Sequence, residues 1–214
     1  MKKRFSLRYK LILIFGLLIT AASIVEIVLA VRTARKAVTE KVEAHLIDKA
    51  TDVAEIIDGR VTALFQFIGG VARMPALRDN SLLFGQRAKL LAKEAENNSK
   101  IEYFALCDLE GQRYDPVSGK QTFIGDRNWF KAAVKGTNFI SEPLLSRVTN
   151  KLQFILAVPI KDDHNAIIGV LSAAIPGNIL SQEIGDIVVG QTGYCYILGL
   201  TGTTIAHKNF DLVT

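Results

Sequence analysis

The sequence predicts an α+β protein in which a membrane-spanning helix runs on into a long stalk helix and then gives way to an antiparallel sheet. Three observations predict it. Residues 11–31 (LILIFGLLITAASIVEIVLAV) are an apolar run of 21 residues broken only by Glu26, long enough to cross a bilayer as a helix. From residue 32 to about 73 there is no Pro, and Val38, Val42, Leu46, Val53, Ile57, Val61, Leu64, Ile68 and Val71 recur at steps of three, four or their sums. After residue 100 the pattern changes to short apolar runs separated by Gly, Asn, Asp and Pro.

Taken in order, residues 1–10 (MKKRFSLRYK) form a basic tip. They hold five of the 26 Lys and Arg and no acid, so the remaining 204 residues carry 21 charges of each sign. The net charge of +5 therefore belongs to the tip, and a nucleic-acid partner loses its main support. Positive charge ahead of an apolar span stays in the cytoplasm, which puts everything after residue 31 outside. A cleaved signal peptide is the competing reading. The span is longer than a typical signal core and ends without a small-x-small cleavage pattern, which favours an uncleaved anchor. Glu26 lies near the outer end of the span, where it can reach the interface.

Residues 32–76 read as a stalk whose polar face interleaves Glu40, Lys41, Glu43, Lys49, Asp52, Glu55 and Arg60, with His45 a surface residue among them. A helix of this length reaches on the order of 60 Å. Gly69-Gly70 and Met74-Pro75 end it. A second helix is expected over residues 81–95, followed by a strand over 101–109, a turn at Glu110-Gly111 and a return strand over 112–115. Residues 126–136 (DRNWFKAAVKG) come next as a short amphipathic helix, with Asp126 as N-cap and Gly136 as the stop. Strands are expected over 139–148, 152–160 and 166–175, then a short helix over 177–187 and further strands over 194–200 and 203–206. Cys107 and Cys195 have no CxxC partner and no His at ligand spacing, which makes buried thiols the default, with a disulfide between the two the alternative in an oxidising compartment, and no metal or redox cofactor is expected.

Residues 126–136 carry the chemistry. Arg127 supplies a permanently charged planar fork for an anion, and Trp129, the single tryptophan, and Phe130 supply rigid apolar walls. The plain alternative is a surface Arg beside a core Trp. No GxSxG, HExxH, GxxxxGK[ST] or paired-carboxylate arrangement is present, so an enzyme is not expected.

The ordered set DRNWFKAAVKG, NFISEPLLS, KLQFILAVPIKDD, AIIGVLSAAI and GQTGYCYILGLTGTTIAHKN, behind the anchor and stalk, resembles the N-terminal part of a bacterial double-Cache (dCache) methyl-accepting chemotaxis receptor. The resemblance implies a PAS-like membrane-distal Cache module over 77–187 and the truncated start of a membrane-proximal one over 188–214. It also implies a small-molecule ligand, a homodimer formed through the stalk helix, and a plasma-membrane location with a periplasmic or extracellular sensor. The same input module on a histidine kinase or diguanylate cyclase is the alternative. The family's amino-acid sensors use an Arg-x-Trp-Tyr stretch, a Tyr just after a Glu-Pro pair, and an Asp on the last strand of the distal sheet. Arg127 and Trp129 match, whereas Phe130, Leu144 and Ala174 stand where the two Tyr and the Asp would be. A ligand ammonium would lack its carboxylate partner, so an organic acid or another anion is expected rather than a standard amino acid. Arg147 is expected at an exposed turn, with a second positive charge for the ligand as the alternative, and His207 in a structural role.

Overall fold

The computed structural model describes residues 7–79, 81–147 and 149–213. Residues 1–6 of the expected basic tip and Val148 at the expected strand end lie outside the described residues. The chain divides into two compact units, Met1–Asp52 and Val53–Thr214. A single helix, α1 (Leu7–Ala72), contributes to both. Within the first unit its described residues are exposed throughout, and they include the apolar stretch long enough to span a membrane. Apolar residues all round a helix suit a lipid environment, whereas the polar positions after residue 31 suit water.

In the second unit the end of α1 becomes amphipathic in earnest. Ile68, Val71 and Ala72 are buried, with Leu64, Phe65 and Phe67 packed beside them. Met74-Pro75 stops the helix and starts α2 (Pro75–Arg78), where Pro occupies the first turn and its missing N–H costs nothing. The expected helix over 81–95 is shorter: α3 spans Phe84–Leu90, and a 3-10 turn follows at Ala95–Asn97. A short helix depends on burial more than on propensity, and only Arg87, Ala88 and the adjoining Leu91 are buried there.

Seven strands make one antiparallel sheet: β1 (Tyr103–Cys107), β2 (Gln112–Tyr114), β3 (Gln121–Phe123), β4 (Phe139–Ile140), β5 (Leu144–Leu145), β6 (Leu152–Lys161) and β7 (Ile167–Pro176). Their order is β3-β2-β1-β7-β6-β4, with β5 also paired to β6. The expected strand over 139–148 is thus two short edge pieces on one partner, broken at Glu142-Pro143, because a residue without an N–H cannot continue a ladder. Strand β3 was not among the expected elements. Helix α4 (Asn128–Ala133) precedes β4, and α5 (Ile179–Gly185) follows β7.

Both faces of the sheet are covered, which is why β6 and β7 are continuous apolar runs rather than alternating ones. Phe104, Leu106, Phe154, Leu156, Val158, Leu171, Ala173 and Ile175 face the end of α1 and form one core. Ile155, Ala157, Val170, Ala174 and Cys107 face the other way, against Trp129, Phe130 and Ala133 of α4. Burial pushes the Cys107 thiol up to about 12; Cys107 and Cys195 are both free, but Cys195, between short strands outside the main sheet, is half-buried rather than buried as expected. After α5, β8 (Val188–Val189) pairs with β9 (Gly193–Tyr194) and β10 (Tyr196–Leu198) with β11 (Thr204–His207), as two separate two-stranded ribbons.

One turn ties the sheet to the loop before α4. Gly111 holds φ +86°, and a Cβ there would stand 2.7 Å from Gly125 Cα and 2.9 Å from Gly125 N. Gly119 also has positive φ, +67°, but opens onto free space. Gly119→Ala is therefore expected to cost about 1–2 kcal/mol from backbone conformation alone, and Gly111→Ala measurably more, read as the difference between their denaturation midpoints. Equal losses would mean that the Gly111–Gly125 approach is not a constraint.

Candidate functional site

On the α4 side of the sheet the alternating strands turn inward a set of polar residues among the apolar ones. Tyr103 from β1, Arg113 from β2, Thr122 from β3, Gln153 from β6 and Ser172 from β7 share that face. With Ile124, Arg127, Trp129, Leu144, Ser146, Arg147 and Ile155 they enclose a cavity of about 30 Å³, about the share of one water in the liquid. Of the expected site residues, the structure brings Arg127, Trp129 and Leu144 together here. Phe130 and Ala174 are buried in the adjoining core and do not line the cavity. Ala174 sits in the ladder between Tyr103 and Ile155.

Arg127 is the N-cap of α4 with extended backbone, and its half-buried side chain makes no hydrogen bond or ion pair among the described residues. This corrects the expectation for Asp126, whose carboxylate caps nothing. It is instead held bidentately by Arg147, at 2.9 Å to Nη1 and 2.6 Å to Nη2, while Arg147 Nη1 also donates to Phe123 O at 3.2 Å. A planar guanidinium offers two parallel N–H bonds to a carboxylate, which competes well with a single capping bond. Arg147 is exposed, as expected, yet it ties the loop after β5 to the loop before α4 beside the cavity.

The Arg147 hydrogen bond holds the Asp126 carboxyl down at about 2. A depressed carboxyl stabilises the folded state fully above its ordinary value near 4 and loses that contribution as pH falls through the folded value. Wild type and Asp126→Asn should therefore differ in stability at about pH 5 and converge towards about pH 2. A difference that persists undiminished at the acid end would show that this clasp does not titrate.

Trp129 is 4% exposed and its Nε1–H has no hydrogen-bond partner. The indole meets Phe130 edge-on at 6.3 Å between centroids. Arg113, which sequence reasoning missed, is 6% exposed, and neither Nη1 nor Nη2 makes a hydrogen bond. Its signal was the Gln-Arg-Tyr strand itself: the middle residue of a three-residue strand points opposite to its neighbours, and Gln112 and Tyr114 flank it half-buried. Gln153 Nε2 donates to the Tyr103 hydroxyl at 2.9 Å, and Ser172 Oγ donates to Ala105 O at 3.2 Å. The cavity is thus rich in donors, and no acidic side chain lines it.

A larger groove of about 710 Å³ lies on the opposite side, between the end of α1 and the β6 edge. It is only a little more open to solvent than the small cavity. Arg78 there donates from Nε to Lys161 O at 2.8 Å and pairs with Asp163, and no buried donor is left without a partner in it. The small cavity, with its unmet donors, is the better candidate. No group of three or more His, Cys, Asp and Glu is placed to hold a metal among the described residues.

A membrane-anchored antiparallel sheet with a donor-lined cavity under a short helix defines the class as an extracytoplasmic solute-sensor module. The family is then specific: the profile of the dCache group, described as Cache domain, matches residues 30–214, and the chain belongs to it. It is a dCache-type extracytoplasmic sensor domain related to bacterial chemoreceptors, a binding module and not an enzyme. Over 209 residues it is 25% identical to the methyl-accepting chemotaxis protein PscA of Pseudomonas syringae pv. tomato; that match takes in 95% of this chain. The chain spans about a third (32%) of that relative's length.

Two solved structures are similar in fold. The ligand-binding domain of the Pseudomonas fluorescens chemoreceptor CtaA, in complex with L-isoleucine, superposes with TM-score 0.67 at 21% identity, over 85% of this chain and 74% of that one. The ligand-binding domain of Campylobacter jejuni chemoreceptor Tlp3, in complex with 4-methylisoleucine, gives 0.58 at 19% identity, over 76% and 67%.

Proposed function

We propose that the chain is the solute-binding part of a transmembrane chemoreceptor and that it takes a small organic acid or another anion between Arg127 and Trp129. The observation that carries this reading is the pairing of a positively charged side chain that makes no hydrogen bond, Arg127, with a buried unpartnered N–H, Trp129 Nε1, on one cavity. The CtaA and Tlp3 complexes hold amino acids, whose ammonium group needs an acceptor. Here the cavity offers donors and no carboxylate, and Ala174 stands in the ladder where the resemblance would place an Asp. A buried ammonium without a counter-charge is strongly unfavourable, whereas an acid would meet the unmet donors.

A cavity the size of one water is too small for such an acid. Admission therefore requires part of the lining to open, and we place that opening at the Asp126–Arg147 clasp, which joins two loops beside the cavity. In this reading residues 77–187 are the membrane-distal module, residues 188–214 open a second one, and two copies associate through the stalk. Ligand binding then shifts the packing of paired α1 helices by its differential affinity for two states.

The test is thermal unfolding of the full chain in nanodiscs against a panel of organic acids, amino acids and inorganic anions, for wild type and Arg127→Ala. A ligand at a hundredfold excess over its Kd stabilises by about 2.7 kcal/mol, several degrees for a unit of this size. An acid should raise the wild-type midpoint and leave Arg127→Ala unmoved. Amino acids raising it while acids do not would reject the anion reading, and equal shifts in the variant would return Arg127 to a surface role.

A further inference from the structure

We propose that Arg113 is a second anion anchor, so that the ligand carries two acidic groups joined by a short aliphatic spacer, a small dicarboxylate. This deepens the anion reading of the cavity and rests on it.

Arg113 lacks acceptors for its terminal N–H groups. Its guanidinium is nine-tenths buried, and both terminal nitrogens lie at atoms of essentially no exposure without a hydrogen bond. Two groups surround it. The Tyr103 ring lies under it with the guanidinium carbon 5.0 Å from the ring centroid, and Asp115 Oδ2 stands 3.5 Å from Nη2. Asp115 is otherwise engaged, because its Oδ1 accepts from the Val117 and Ser118 N–H groups and from the Ser118 hydroxyl, at 3.1, 2.7 and 2.9 Å. Burial pushes its carboxyl up, but these bonds and the Arg113 charge outweigh that and leave it low. Asp115 therefore forms an ion pair with Arg113 that offsets its charge, but it accepts no hydrogen bond from Nη1 or Nη2. The donors themselves remain unmet, in a setting where native buried donors nearly always have acceptors.

Arg113 and Trp129 line the same cavity as Arg127, with Arg113 buried and Arg127 half-buried. The cavity therefore has two guanidinium groups at different depths, and Ile124, Leu144 and Ile155 supply apolar wall. Arg147, the third cation, is already closed bidentately on Asp126. One carboxylate held by Arg127 and the indole N–H would leave the Arg113 donors as they are. A ligand with a second carboxylate meets them, with a methylene spacer against the apolar wall. A bidentate fork recognises a carboxylate by geometry as well as charge, so specificity follows from the same arrangement.

Calorimetric titration of the full chain in nanodiscs with succinate and butyrate tests this, because the two share a four-carbon skeleton and differ in the second carboxylate. Wild type should bind succinate at least about tenfold more tightly than butyrate. Arg113→Gln should lose that ratio by weakening succinate alone, and Arg127→Ala should lose both acids. Arg113→Gln takes the counter-charge from Asp115, so it should melt below the wild-type temperature but still in one cooperative transition; that transition serves as the folding control. Equal binding of the two acids by wild type, or a ratio that survives Arg113→Gln, overturns the second anchor while leaving the Arg127 site standing. Binding of neither acid, or binding unaffected by Arg127→Ala, overturns the anion site and the second anchor with it.

Discussion

Trp129→Ala is expected to lower the stability of the sheet-bearing unit by about 3–5 kcal/mol and to abolish acid binding at the same time. Trp129 is buried at the centre of the core that joins α4 to the sheet, beside Phe130, Ala133, Ile155 and Ala174. Truncation removes its contacts and leaves a void between a six-residue helix and the strands beneath it. Trp129→Phe separates the two effects. It keeps an aromatic ring against Phe130, and the lost volume is offset by removal of an unpaired buried N–H, which costs about 1–3 kcal/mol. That variant should fold with nearly wild-type stability and bind acid more weakly. Chemical denaturation with and without ligand reads both quantities. Full acid affinity in Trp129→Phe would show that the indole N–H takes no part.

Phe104→Ala is expected to destabilise by a similar amount, about 3–5 kcal/mol, while leaving ligand recognition intact. Phe104 is completely buried on the opposite face of β1, where its ring lies 6.3 Å from Phe67 of α1. Its chain neighbours Tyr103 and Ala105 point the other way. The melting temperature should fall on the order of 10 °C, yet the increment added by a saturating acid should match that of wild type. If the increment vanishes with the side chain, the two faces of the sheet are coupled and the cavity depends on the helix-side core.

These two residues also show what was legible in the sequence. The three-and-four spacing along α1 and the apolar runs of β6 and β7 announced the elements that bury most surface, and Met74-Pro75 marked where α1 yields to α2. Arg127 and Trp129 were legible because both stand on one short helical stretch, two residues apart. Strand β3 was not, since Gln121, Thr122 and Phe123 are an edge strand with two exposed positions and no apolar pattern to read. The Asp126 cap failed because the competing partner, Arg147, is 21 residues away in sequence. Arg113 was hidden for a related reason. The polar face of the cavity is assembled one residue per strand, from β1, β2, β3, β6 and β7, and only the pairing register shows that those residues meet.

The central claim is that an acid binds beside Trp129. Because the chain has one tryptophan, its indole N–H gives a single resonance in a nitrogen-15 correlation spectrum, and that proton has no partner in the structure. Titration with succinate should shift this one resonance progressively to saturation in wild type and leave it in place in Arg127→Ala. A resonance that stays fixed in wild type while calorimetry shows succinate bound would place the ligand elsewhere and contradict the account.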